Sequence, residues 1–311
     1  MQGVLGAIVL FIVATFIAGI ATEGNKSNHA GKRRYRYVVK YASHSPYQPI
    51  NFNKYSIGRA SVRKRRGVVA TQLHRFQHIL QESPEAVKQI LAASESAGVP
   101  VDVALAHWAQ ESFMSLSGDS GTPALTAIER NIREDRRRRG SFIKNKQAFL
   151  NICQKCGYYK KYGTECRQLK GSSTGALGSM QFMPYTWGDP SNRRDLDGDG
   201  VGCPLNLAEA FYATAEKLRG HADFARQNNN NWRVLPAKEH IYVLSPIPSG
   251  LLENEWDFAM LRYAGEYCSR NYAYVKRAKL LRPHLCGMIR EATGQKLDCS
   301  MEPSAFYLAS N

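Results

Sequence analysis

The sequence predicts a mainly α-helical domain, and three observations carry that expectation. Ser83 and Pro84 read as a helix N-cap followed by a first-turn proline, and Val87, Ile90 and Leu91 then form a helical stripe that Gly98 can terminate. Pro100 opens a second helix, with Val101, Leu105 and Trp108 on one face. The segments 205–222 and 256–281 return to the same period, separated by the Asn228 to Asn231 run and the Pro-rich loop Ser245 to Pro248.

In chain order, the first element is Val4 to Ala21, eighteen apolar residues without a side-chain charge. Such a run fits a signal-peptide core or a short membrane anchor, so residues 1–21 are assigned to one of these and the protein is expected to be exported to the periplasm or cell envelope. No Lys or Arg precedes the run, and Lys26, Lys32, Arg33 and Arg34 follow it, the reverse of the usual charge arrangement for export. Residues 22–69 read as a basic linker, because residues 22–66 hold twelve Lys and Arg against the single acid Glu23 and show little apolar periodicity. The helical domain is expected over residues 70–301, and residues 302–311 form a tail. Within it, residues 115–174 read as one long connection carrying the cluster Arg133 to Arg139 and three cysteines. A connection of that length needs a staple or a function.

The formal net charge of +16 implies an anionic partner, such as a membrane surface, a wall polymer or nucleic acid. No nucleic-acid motif accompanies the charge, so the basic linker is expected to meet anionic phospholipid or wall polymer. Seven cysteines are many for a cytosolic enzyme, and the odd number leaves at least one unpaired within the chain. Disulfides are favoured over a zinc site at Cys153, Cys156 and Cys166, since no His lies nearby to complete a tetrahedral set.

Chemistry concentrates in two segments. Ala106-His-Trp-Ala-Gln-Glu111-Ser112-Phe113 puts one carboxylate near the C-terminal end of a largely apolar helix, where desolvation and the helix dipole both raise its pKa and suit it to act as an acid. Some sixty residues later, Gly175-Ala-Leu-Gly178-Ser-Met180-Gln181-Phe-Met183-Pro184 supplies a glycine-rich, amide-bearing loop. An amide can both donate to and accept from sugar hydroxyls, a thioether offers a flexible apolar contact, and glycines let backbone approach a ligand.

Together with Leu261-Arg-Tyr263-Ala-Gly265 and Tyr274-Val275, these motifs resemble the lytic transglycosylase and goose-type lysozyme superfamily over roughly residues 84–280. The resemblance implies a lysozyme-like helical domain that cuts peptidoglycan glycan strands between N-acetylmuramic acid and N-acetylglucosamine. It makes Glu111 the catalytic acid/base, with Ser112, Met180, Gln181, Met183 and Tyr263 as substrate-binding candidates. Tyr263 resembles the tyrosine whose hydroxyl reaches toward the catalytic carboxyl. A single marked carboxylate implies a transglycosylase forming 1,6-anhydromuramoyl ends, in which the substrate's acetamido group replaces a second carboxylate. A hydrolytic lysozyme using Asp119 or Glu129 to activate water is the alternative, as is a wall-binding adaptor of a cell-envelope secretion apparatus.

Asp195-Leu-Asp197-Gly-Asp199-Gly200-Val201 has the acid spacing of an EF-hand loop, with Asn206 at the position usually held by a bidentate Glu. Asp195, Asp197, Asp199, Val201 and Asn206 are the expected ligands of a weak structural Ca²⁺. No cofactor is expected for the chemistry itself. Membrane-bound members of the transglycosylase group place a similar Asp-rich loop after their Gly-Gln-Met-Pro segment.

Overall fold

The computed structural model describes residues 63–118, 121–189, 193–227, 247–265 and 269–301. The apolar segment 1–21, nearly all of the basic linker and the 302–311 tail lie outside the described residues. Among those described, no helix is long and apolar enough to cross a membrane.

The helices are α1 (Arg63–Glu82), α2 (Pro84–Ala97), α3 (Val101–Ser112), α4 (Ala124–Glu134), α5 (Arg139–Lys155), α6 (Tyr159–Tyr162), α7 (Pro184–Trp187), α8 (Leu207–Gln227), α9 (Glu255–Tyr263) and α10 (Ser269–Thr293). Two short antiparallel strands, β1 (Thr122–Pro123) and β2 (Lys170–Gly171), pair Thr122 with Gly171 and Pro123 with Lys170.

Helix α3 is the axis of the domain. Every residue from Val101 to Ala109 is buried, so the helix is apolar all round and must be covered on all sides. It packs on α10 and α2, while α8 bridges α2 and α9. Trp108 meets Phe211 of α8 edge to face at 4.9 Å and donates its indole N–H to the Ser115 carbonyl at 3.2 Å. Helix α2 begins after Ser83 and ends at Gly98, whose left-handed φ of 61° closes it through bonds to the Glu95 and Ser94 carbonyls. The Ser83 side chain makes no cap hydrogen bond, so Pro84 and not a hydroxyl cap marks this start.

Three expectations are corrected. Helix α1 starts at Arg63, before the expected boundary at residue 70, because Lys and Arg are good helix formers and basic residues alone do not end a helix. The 115–174 connection contains α4, α5 and α6. Ala124, Leu125, Ala127 and Ile128 form the buried stripe of α4 beside the Arg cluster, and Phe142, Phe149, Ile152 and Cys153 are buried on α5. The helical run expected over 256–281 is two helices, since the chain breaks at Ala264 and Gly265, the latter at a φ of 97°.

Disulfides close the remaining irregular segments. Cys153–Cys166 and Cys156–Cys203 fasten the end of α5 to the loops ahead of β2 and α8, and Cys286–Cys299 ties α10 to the C-terminal segment. Cys268 lies outside the described residues.

Candidate active site

Glu111 sits in the last turn of α3, held in a cleft of about 520 Å³ lined by Ser112, Phe113, Gly118, Thr122 and Gln181 among others. Its side chain is 15% exposed. Burial raises the carboxyl pKa to about 7, against a downward pull from the Tyr274 hydroxyl and the Lys217 ammonium. A carboxyl with that pKa is half protonated at neutral pH, which is what an acid that later serves as a base requires.

Three helices deliver its neighbours. Tyr274 of α10 donates its hydroxyl to Glu111 Oε1 at 2.7 Å, and the same hydroxyl lies 2.7 Å from Nδ1 of His107, one turn earlier on α3. Lys217 of α8 places its ammonium 4.8 Å from the Tyr263 ring centroid. Desolvation lowers the Lys217 pKa, and Glu111 and Asp189 oppose that shift. Tyr263 of α9 stacks edge-on against His107 at 4.1 Å.

The other wall is a tight hairpin in which Leu177 and Phe182 exchange backbone hydrogen bonds of 2.8 and 3.0 Å. Its turn holds Gly178 and Gln181 at positive φ, 71° and 51°. A Cβ at Gly178 would overlap the Pro204 carbonyl, so only glycine lets this turn press against the segment leading into α8. Phe113 and Met114, at φ of 54° and 57°, carry the chain off α3 in the left-handed region. This bend leaves the Phe113 ring exposed on the cleft wall.

A transglycosylase SLT domain family matches residues 63–256, more than half of the chain. The chain belongs to that family. This SLT domain is similar in fold to SltB3 of Pseudomonas aeruginosa in complex with NAG-NAM-pentapeptide, at 19% identity and a TM-score of 0.50, over 77% of this chain and 72% of that one. It is also similar to the Escherichia coli lytic transglycosylase SLT35. The structure with calcium matches at 16% identity and a TM-score of 0.44 over 74% of this chain and 77% of that one. The structure with bulgecin A matches at 20% identity and a TM-score of 0.39 over 55% of this chain and 47% of that one, so there the chain spans about half the length of its relative. A comparison with curated protein sequences gives no match. Membership of the lytic transglycosylase superfamily and the mostly helical, lysozyme-like fold follow from the family match and the architecture together.

The SLT domain brings Glu111, Ser112 and Gln181 to one cleft but rearranges several expected roles. Tyr274, and not Tyr263, reaches the carboxyl. Tyr263 donates to the Met180 carbonyl at 3.2 Å, and the break between α9 and α10 puts the two tyrosines on separate helices. Met180 is buried in the core, and its carbonyl takes the Tyr263 hydroxyl. Met183 is partly buried against the same core, with its sulfur 3.8 Å from the Thr174 hydroxyl. The Gln181 amide nitrogen is committed to the Gly178 and Gly118 carbonyls at 2.8 and 3.2 Å, which leaves its oxygen, an acceptor only, for a ligand. Glu129 is engaged by Lys146 at 2.8 Å and Arg167 at 3.7 Å, and these partners hold its carboxyl below the usual range, so it is not poised as a water-activating base. Asp119 lies outside the described residues.

In the Asp-rich loop, carboxylate oxygens of Asp195, Asp197 and Glu209 lie within 4.8 Å of one another. Glu209, which accepts the Leu196 and Cys203 N–H groups, stands in that group, whereas Asp199 is outside it and accepts the Val201 N–H at 2.8 Å. The Asn206 side-chain oxygen lies 3.5 Å from the Glu209 N–H, in the position of a cap at the start of α8, and its amide nitrogen faces Asp197 Oδ2 at 3.3 Å. Helical spacing from that cap is the signal that could have found Glu209, and the one-turn spacing from Glu111 could have found His107. Nothing in the sequence singled out Lys217.

Proposed function

We propose that the protein is an exported peptidoglycan lytic transglycosylase in which Glu111 is the sole acid/base. The observation that carries this reading is a carboxyl brought to a pKa of about 7 by burial at the floor of a cleft, with one oxygen fixed by Tyr274. In the first step the Glu111 proton passes to the glycosidic oxygen and the C1–O bond of N-acetylmuramic acid breaks, while the substrate's acetamido oxygen bonds to C1. The Glu111 carboxylate then takes the C6 hydroxyl proton, and O6 displaces the acetamido oxygen to give the 1,6-anhydro end. One residue serves both steps because the second returns the proton that the first spent. The glycan backbone would meet the Gln181 oxygen, Ser112 and the exposed Phe113 ring along the cleft.

Export is supported by the three disulfides, which persist in an oxidising compartment. The N-terminal apolar run and basic linker would hold the domain against anionic phospholipid or wall polymer. A structural Ca²⁺ fits the Asp195, Asp197 and Glu209 carboxylates, a hard-oxygen donor set on a loop fastened by Cys156–Cys203. It would hold the loop and take no part in the chemistry.

Incubating the full chain with purified peptidoglycan and analysing the fragments by mass spectrometry tests the proposal. Anhydro ends are expected, and Glu111→Gln should lower their yield by roughly 10²–10⁴-fold or more while the fold and wall binding persist. Reducing ends would make the protein a lysozyme. Binding without cleavage by the unaltered chain would make it an adaptor.

A further inference from the structure

His107 is fully buried on α3, one turn before Glu111 and away from the cleft lining. Its Nδ1 lies 2.7 Å from the Tyr274 hydroxyl oxygen, and that hydroxyl lies 2.7 Å from Glu111 Oε1. Its Nε2 has no hydrogen-bond partner and is 3.9 Å from the same Oε1, too far for one.

We propose that His107 is a positioning residue that, through Tyr274, reserves Oε1 of Glu111 as a hydrogen-bond acceptor and so confines the exchangeable proton to Oε2. This rests on the reading of Glu111 as the acid/base.

A tyrosine hydroxyl has one proton, and an ionised Glu111 Oε1, which can only accept, claims it. If His107 carried its proton on Nε2, the bare Nδ1 would face the tyrosine oxygen with lone pair against lone pair, and a buried N–H would be left without an acceptor. With the proton on Nδ1 the chain runs in one direction, His107 Nδ1–H to Tyr274 O–H to Glu111 Oε1, and only a lone pair on Nε2 stays unpaired. Burial drives the His107 pKa down to about 3, with Lys217 and His221 adding to the shift, so the imidazole is neutral throughout the working range. The imidazole therefore keeps a single N–H in both protonation states of Glu111, and on Nδ1 that N–H holds the chain in one direction. An acceptor Oε1 cannot also carry the acid proton toward Tyr274, and Oε2, which has no protein hydrogen bond among the described residues, carries it instead.

The groups facing Glu111 are His107 on its own helix, Lys217 from α8, Tyr263 from α9 and Tyr274 from α10. Two of these favour the carboxylate, the Lys217 charge and the Tyr274 donor. Polarisation of Tyr274 by the His107 N–H strengthens the second. Removing that N–H should weaken it, raise the Glu111 pKa, and move the basic limb of the pH–rate profile upward.

The test compares His107→Phe and His107→Gln with the unaltered chain and Glu111→Gln, using anhydro-product formation on peptidoglycan across pH. Melting curves normalise each rate to folded protein. His107→Phe should lower kcat about three- to tenfold, the cost of one hydrogen bond, with KM little changed and the basic limb raised by a few tenths of a pH unit. His107→Gln, which keeps an N–H, should recover part of both. Nitrogen NMR of labelled histidine in the unaltered chain supplies a readout that needs no variant to fold. It should find His107 neutral and protonated on Nδ1 on both sides of pH 7. An Nε2-protonated ring, or a His107→Phe profile superimposable on that of the unaltered chain, would overturn the proposal while leaving an inactive Glu111→Gln to support the acid/base reading. An active Glu111→Gln would remove that reading itself.

Discussion

At the scale of single residues, the same burial that raises the Glu111 pKa makes the residue a liability for stability. Its folded pKa of about 7 stands above the ordinary value of 4.5, so the folded state holds a proton that the unfolded state releases. The sign follows: stability falls as pH rises from about 4.5 to about 7 and stays low above that, whereas the amide introduced by Glu111→Gln does not titrate. That variant should therefore match the unaltered protein near pH 4 and exceed it by about 1–3 kcal/mol at pH 8, read as a widening gap in melting temperature. A constant gap across pH would refute the buried-acid description. Tyr263 gives the contrasting case. Its hydroxyl bonds the Met180 carbonyl and not Glu111, so Tyr263→Phe should cost about 0.5–1.5 kcal/mol of stability and leave turnover per folded molecule nearly unchanged. Glu111 was legible in the sequence because a lone carboxylate on an apolar helix is chemically conspicuous. Which tyrosine serves it was not legible, because Tyr263 and Tyr274 sit on separate helices whose mutual placement depends on the break at Ala264 and Gly265.

At the scale of elements, the signals that succeeded were those tied to backbone geometry, such as Pro84 at a helix start and Gly98 at its left-handed end. The stretch 115–174 failed because α4 buries only four residues and α5 is interspersed with Lys, Asn and Gln, which dilute any apolar period. The Asp-rich loop shows the same partial legibility. Its first two acids stay in the carboxylate group, but the third is supplied from the first turn of α8, outside the twelve-residue window in which a loop motif looks for it. Calcium should raise the melting temperature at millimolar concentration, with a gain that grows as RT ln(1 + [L]/Kd). Asp197→Asn and Glu209→Gln should each diminish that gain, and Asp199→Asn should largely retain it. Equal loss in all three would restore the loop-only ligand set, and no calcium response in the unaltered chain would reduce the loop to an acidic turn.

At the scale of the whole molecule, the cleft is assembled from segments distant in sequence, and the disulfides fasten the irregular ones among them. The number of cysteines and the lack of a nearby His favoured bridges over zinc, yet the pairing could not be read from spacing, because three cysteines within residues 153–166 allow several partners and only the fold brings Cys203 to the end of α5. Chain entropy sets their order of importance. Cys156–Cys203 spans 47 residues, against 13 for Cys286–Cys299, which corresponds to roughly 4 and 3 kcal/mol of lost denatured-state freedom. The longer bridge also fixes the loop between the Asp-rich turn and α8, against which Gly178 of the Leu177–Phe182 hairpin presses. The double variant Cys156→Ser/Cys203→Ser should therefore lose more melting temperature than Cys286→Ser/Cys299→Ser, and it alone should lose turnover per folded molecule together with its calcium response. Equal losses of turnover in the two variants would mean that the bridges stabilise the domain globally and that the cleft does not depend on where the Cys203 loop is pinned.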